Sequence, residues 1–253
     1  MPASLRDEYT LYGNVPVSRM YRNQLASGAK SSRTWNQQTL GYWFVSIIWK
    51  FYWARFPYGT GCAVLETALK AFPLQGGRGL VVGSIQPWVE AFCLLYGASH
   101  VTTAEYRFIN TTGANLERAL RVVHPETLAK EWFRQGGPQQ YDFAVSFSSL
   151  EHSGLGRYGD PLDPWGDVAE VQKIWCLLKE GGRHILGLPS GPDVLVWNAG
   201  RSYGRIRWPL MTVGFEVEGI FCPTRRMSLF QPKLSFLHQC VVVMKKRKLE
   251  ECT

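Results

Sequence analysis

From residue 79 onward the chain alternates short apolar runs with segments of helical spacing. GLVVGSIQPWVEAF (79–92) sets the pattern: an apolar run, one glycine, then an amphipathic stretch. Leu80 to Gly83 reads as a strand. A helix follows from Pro87 to Tyr96, with Pro87 in the first turn, where its missing N–H has no partner to lose. Gly97 closes that helix, and HVTTAEY (100–106) is the second strand. A helix around 109–119, a short strand at LRVV (120–123), a helix over 126–134 and the central strand YDFAVSFSS (141–149) extend the series. A helix at 167–178 and a strand at 181–189 come next. FEVEGIF (215–221) and FLHQCVVVMKK (236–246) have no helix-length segment clearly between them and read as an antiparallel pair at a sheet edge. The fold expected is α/β, Rossmann-like and doubly wound, with a mostly parallel sheet covered on both faces.

The first third is different. Residues 1–38 are polar, lack a sustained period and read as an extension that is partly ordered at best; residues 39–75 read as helices packed on the core. Helices are expected over 40–56 and 62–72, separated by PYGTG. LGYWFVSIIW (40–49) is apolar but shorter than the roughly 20 residues a spanning helix needs. It suits a helix packed on the domain, or an interfacial helix touching a membrane, because aromatic residues and cations flank it. The first 30 residues lack the apolar core of a secretory signal. The expected main domain is 76–246, followed by a short tail over 247–253.

Composition narrows the classes. The chain has 253 residues, 45% hydrophobic and 19% charged, enough to build a sizeable core. Its net charge of +8 permits an acidic partner, but no basic stripe interleaved with aromatics marks a nucleic-acid surface. The basic run KKRK (245–248) continues from a strand and reads as a solvated tail. The six cysteines (62, 93, 176, 222, 240 and 252) show no metal-ligand spacing. Four lie in apolar segments, and together they imply reduced thiols, a reducing intracellular compartment and no zinc site.

Ligands of open α/β sheets bind outside the carboxyl ends of the strands. At the first such end Gly83 allows close backbone approach, and the N–H groups of Ser84 and Ile85 face the same place as the helix N-terminus. Glu105 ends strand two, where a carboxylate can accept both ribose hydroxyls. Glu126, after the third strand, is a weaker candidate for the adenine side. In SSLEHSG (148–154), Glu151 is placed to orient a cofactor's reactive end, and His152 to take a proton from a nucleophile. Asp160 is the second candidate base. Arg157 and Tyr158, with Asn198, Arg201 and Tyr203 from the later loop, are candidate acceptor contacts. Each loop residue also has a plainly architectural reading, as a cap or brace.

The pattern resembles the class I S-adenosylmethionine-dependent methyltransferases. LVVGS stands for the first motif, Glu105 for the ribose acid, YDFAVSFSSLEH for the fourth motif, and CLLKEGGRHILGLP for a later segment and strand. The resemblance covers residues 76–246 and implies a seven-stranded sheet with an antiparallel last strand and S-adenosylmethionine as cofactor. PWVEA, TAEY, EHSGLGRYGDPLDPWGD and NAGRSYG further resemble a domain-of-unknown-function family on that superfold. Two departures stand out: Val82 precedes the glycine where an acid is usual, and Gly83 alone remains of G-x-G-x-G. The activity implied is methyl transfer to a small-molecule or glycan acceptor; the alternative is a non-catalytic binding or scaffold protein. A nicotinamide oxidoreductase would want G-x-G-x-x-G, which the chain lacks.

Overall fold

The computed structural model describes residues 1–19, 33–51, 55–223, 229–230 and 238–248. The chain begins with α1 (Arg6–Tyr9), β1 (Val17–Arg19), β2 (Arg33–Asn36), α2 (Gln37–Ile48) and α3 (Thr60–Ala71). The Asn36 side chain caps α2 by accepting from the Thr39 N–H at 2.8 Å. The expected 40–56 helix stops at Ile48 because Lys50 takes a left-handed conformation (φ +55°). Lys50 N–H then reaches the Ile47 carbonyl and Phe51 N–H the Ser46 carbonyl, a Schellman closure.

The sheet is built from β3 (Arg78–Val82), β4 (His100–Ala104), β6 (Leu120–Val123), β7 (Tyr141–Phe147), β8 (Leu178–Pro189), β11 (Phe215–Phe221) and β12 (Gln239–Lys246). Between them lie α4 (Trp88–Leu95), β5 (Ile109–Thr112), α5 (Ala114–Ala119), α6 (Pro125–Arg134), α7 (Gly166–Leu177), β9 (Val194–Trp197), β10 (Gly200–Ser202) and α8 (Arg207–Met211). The strand order β11-β12-β8-β7-β3-β4-β6, with only β12 running against its neighbours, is the class I methyltransferase arrangement. Alternation decides the two cores. Val81, Val145, Val241 and Val243 face α2, α3 and α4, while Leu80, Ala144, Val242 and Met244 face α7 and α8.

Several expectations need correction. Residues 109–112 are a strand, not helix, because β5 finds a parallel partner in β2, register Arg33↔Ile109 to Asn36↔Thr112. Pairing with a segment some 75 residues away outweighs local preference. The start of the polar extension is ordered: Tyr9, Leu11 and Val15 bury against Leu155 and Leu195, β1 pairs with β9, and Tyr9 Oη donates to the Gly154 carbonyl. The second loop folds into β9 and β10.

Cys222 and Cys240 form a disulfide, so the reading of reduced thiols fails for this pair. Register explains it: Phe221 pairs with Val241, which sets the two cysteines opposite each other with Cα atoms 4.3 Å apart. Cys62 and Cys93 are buried free thiols and Cys176 is exposed. Of KKRK, Arg247 and Lys248 are exposed as expected, but Lys246 is buried and donates from Nζ to the Leu178 carbonyl at 2.7 Å. Residues 249–253 of the expected tail lie outside the described residues. No described helix is long and apolar enough to cross a membrane.

Candidate cofactor and acceptor site

The order of strands reverses between β3 and β7, and their carboxyl ends carry the glycine turn and the SSLEH segment. Gly83 has φ +72°, which a side chain would strain. Its N–H donates to the Ala104 carbonyl at 2.9 Å, tying the turn to the end of β4. A Cβ at this position would lie 1.9 Å from Ser149 Oγ, so the serine from the β7 end packs directly on the glycine. Two surface hollows, of about 370 and 460 Å³, lie elsewhere, one beside Arg6, Thr10 and Val17, the other beside Trp132 and Phe133.

Glu105 sits where the sequence placed it. Its carboxylate accepts from the Arg107 N–H at 2.9 Å and from the Ser84 and Tyr106 N–H groups. Burial pushes its pKa up, and those bonds with the Arg107 charge offset only part of the effect. The carboxylate therefore lies against the Gly83–Ser84 turn. The Ser84 hydroxyl faces inward, toward the Gln86 carbonyl (2.8 Å) and Glu90 Oε2 (3.0 Å).

Glu90 is the carboxylate that the sequence reading passed over. It lies on the buried face of α4, and its Oε1 accepts from Thr103 Oγ1 at 2.8 Å. Burial pushes it up to about 7, above what its hydrogen bonds recover. One hydroxyl proton on Ser84 cannot serve both acceptors. A protonated Glu90 donating to Ser84 resolves the conflict, leaving Ser84 to donate to Gln86. The available signal was a lone acid inside the apolar run WVEAFCLL.

Glu151 is wholly buried at the β7 end. Oε1 accepts from Ser148 Oγ at 2.6 Å, while Oε2 has no hydrogen-bond partner among the described residues. Burial raises it to about 7, because the Ser148 bond and the charges of Arg157 and Arg201 do not compensate. Ser148 is a small hub that also takes a bond from Gln239 Nε2 at 2.8 Å and bonds the Tyr58 hydroxyl. His152 Nδ1 lies 2.6 Å from the Ala199 carbonyl, which fixes the proton on Nδ1. Nε2 is then the basic nitrogen, 3.5 Å from Glu151 Oε1. Arg157 Nη1 donates to the same Ala199 carbonyl at 2.6 Å.

Tyr158 joins the two halves. Both the Glu105 and the Glu151 charges act on its hydroxyl, whose pKa burial raises. Its ring takes the Arg157 guanidinium at 5.1 Å, that of Arg107 at 5.5 Å, and the edge of His152 at 5.4 Å. Gly83, Ser84, Glu105, Glu151, His152, Arg157 and Tyr158 are thus one cluster.

The other candidates are not in it. Glu126 is exposed on the first turn of α6 and pairs with Lys130 at 2.6 Å, which lowers its pKa. Asp160 accepts from the N–H groups of Gly156 (3.1 Å) and Tyr158 (3.2 Å), and so shapes its own loop. Arg201 is buried with Nη1 on the Ser153 carbonyl at 2.6 Å and Nε 3.7 Å from Asp167. Tyr203 Oη donates to Asp167 Oδ2 at 2.9 Å, and Arg207 bonds both Asp167 oxygens. Asn198 is buried beside Ala199. The Arg201 and Tyr203 side chains thus turn inward, to the Ser153 carbonyl and Asp167. Among the described residues no cluster could hold a metal ion.

The profile described as "Caenorhabditis protein of unknown function, DUF268" matches residues 76–246. No curated protein matches the chain. The structure is similar to the Burkholderia thailandensis 1,6-didemethyltoxoflavin-N1-methyltransferase with bound 1,6-didemethyltoxoflavin and S-adenosylhomocysteine. Identity is 17%, coverage is 91% of this chain and 93% of that one, and the TM-score is 0.54. N-methyltransferase NodS from Bradyrhizobium japonicum WM9, in complex with S-adenosylhomocysteine, follows at 12% identity, covering 83% of this chain and 98% of its own, with a TM-score of 0.47. The first likeness establishes the fold.

Proposed function

The chain belongs to the DUF268 family and carries the methyltransferase fold, and from that premise we propose that it is an S-adenosylmethionine-dependent methyltransferase acting on a small-molecule or glycan acceptor. The observation that carries the reading is the Glu105 carboxylate held by backbone N–H groups against the Gly83 turn, at the switch point of the sheet. The donor set fits: a carboxylate for ribose hydroxyls, a left-handed glycine for close approach, and Tyr106 next to it for an aromatic wall. When bound, the cofactor supplies an electrophilic methyl group on a sulfonium.

The chain's own residues then have separable roles. Glu105 holds the ribose, and Gly83 with Ser84 lines the methionine side. Glu151 brings a buried carboxylate to the methyl-bearing end of the cofactor, which it orients. His152, oriented by the Ala199 carbonyl, takes the proton from an O–H or N–H acceptor at Nε2. Arg157 and Tyr158 wall the acceptor pocket. Methyl transfer is an in-line displacement, so holding donor and acceptor in line is most of the work.

A second reading, a non-catalytic binding protein, draws on one observation: Ser149 packs directly on Gly83 at the turn. Calorimetric titration of S-adenosylmethionine and S-adenosylhomocysteine into wild type and Glu105→Ala separates the two. Micromolar binding that Glu105→Ala weakens by roughly tenfold to a hundredfold is expected, the range for hydrogen bonds to a charged group. Absence of binding at millimolar ligand would overturn the methyltransferase reading.

A further inference from the structure

We infer that α2 and the turn after it form a docking surface for an anionic lipid bilayer, with the helix lying on the membrane rather than crossing it. One flank of α2 buries Leu40, Trp43, Ser46 and Ile47 in the core shared with α4. The other flank presents Tyr42 (45% exposed), Val45 (46%) and Ile48 (62%), spaced three residues apart and so on one face. Trp49 (68%) and Phe51 (41%) continue the patch past the helix end. This concentration of large apolar side chains is not the single scattered exposure that is normal on a soluble surface.

Cations frame the patch. The Schellman closure at Lys50 sets an exposed ammonium between Trp49 and Phe51. Arg55 lies over the Tyr42 ring at 5.0 Å and the Phe51 ring at 4.7 Å, so its charge is carried on the aromatic surface itself. From Tyr9 to Leu65 the sequence has six Lys and Arg residues and no Asp or Glu, which accounts for six of the formal net charge of +8. Tyr and Trp rings with a basic rim are the chemistry of the headgroup boundary, where rings sit among headgroups and cations meet lipid phosphates and carboxylates. Branched Val45 and Ile48 have nothing to stack on in a nucleic acid, which favours lipid.

The surface is joined to the candidate site. Residue Trp35, on the strand just before α2, donates from Nε1 to the Ile85 carbonyl in the turn that follows Gly83. A bilayer on α2 therefore holds the glycine turn close to the membrane, whatever reaction that turn serves.

Flotation of the full chain with phosphatidylcholine vesicles, with and without phosphatidylserine, tests the inference. Binding to the phosphatidylserine vesicles that weakens with added salt is expected. Ile48→Ser with Trp49→Ser, both exposed positions, should cut that binding at least about tenfold while the melting temperature stays at the wild-type value. Lys50→Glu, at an exposed position, should cut it by roughly fivefold or more. Failure to float with either vesicle overturns the inference, as does a folded double variant that floats like wild type. It also fails if the double variant splits a wild-type dimer in sedimentation, or abolishes RNA binding while vesicle binding persists.

Discussion

Two buried carboxylates, Asp167 and Glu151, sit on adjoining segments and behave in opposite ways. Both are removed from water, and for both burial is the largest single influence, pushing the pKa up. At Asp167 the charges of Arg201 and Arg207, with hydrogen bonds from Arg207 and Tyr203, together outweigh it and hold the carboxyl below its usual value. At Glu151 the Ser148 hydrogen bond and the charges of Arg157 and Arg201 do not make up for burial, one oxygen has no hydrogen-bond partner among the described residues, and the pKa rises to about 7. The first region is a brace: Asp167 pins α7 to the strand and helix that carry Arg201, Tyr203 and Arg207. The second is held at a cost in stability, and such groups cluster where chemistry is done.

Removing Asp167 is the largest test of that contrast. Asp167→Ala leaves two buried guanidinium groups without their counter-ion and should cost about 3–5 kcal/mol in urea denaturation. The pH course follows from the sign of the shift. A depressed folded pKa gives stability that is present above the unfolded carboxyl range near 3.8 and is lost as pH falls through the folded value. A loss no larger than a surface substitution gives would refute the brace.

Glu151→Gln should move stability the other way. A raised folded pKa means wild type is favoured below the unfolded value of 4.5 and loses that advantage as pH rises to about 7. The variant should therefore be more stable than wild type above neutrality, by about 1–3 kcal/mol, and gain nothing in acid. Parallel pH–stability curves for the two proteins would show that Glu151 is not held protonated by burial. Under the methyltransferase reading the same variant loses turnover while keeping cofactor affinity.

The smallest effect is expected at Glu126, the third carboxylate. It is solvated and paired only with Lys130, so Glu126→Ala should leave both the melting curve and S-adenosylhomocysteine affinity at their wild-type values. A clear loss of affinity would return Glu126 to the cofactor site.

Much of the framework could be read from the chain. Runs such as LVV and CVVVM are apolar on successive residues, which only a strand covered on both faces can bury, and Gly83 and Glu105 fall at strand ends by spacing. Local pattern also put Glu151 and His152 just past the end of the central strand, where they lie in the structure. It failed where a polar side chain had two destinations. Arg201 and Tyr203 share a loop with candidate acceptor residues, and nothing within that loop tells that Asp167, some 35 residues earlier, will draw them inward. The same is true of residues 109–112, whose β-branched run becomes a strand only because β2 arrives beside it, and of Cys222 and Cys240, which the register of β11 on β12 brings together.

The sequence by itself determined the sheet, its order of elements and the carboxyl-end positions of Gly83, Glu105 and Glu151, because burying apolar surface follows short-range periodicity. The tertiary structure alone decided which buried charges are paired and which are not, and it packed Ser149 on Gly83. A buried charge takes its character from the partner that neutralises it, and here that partner comes from a distant part of the chain.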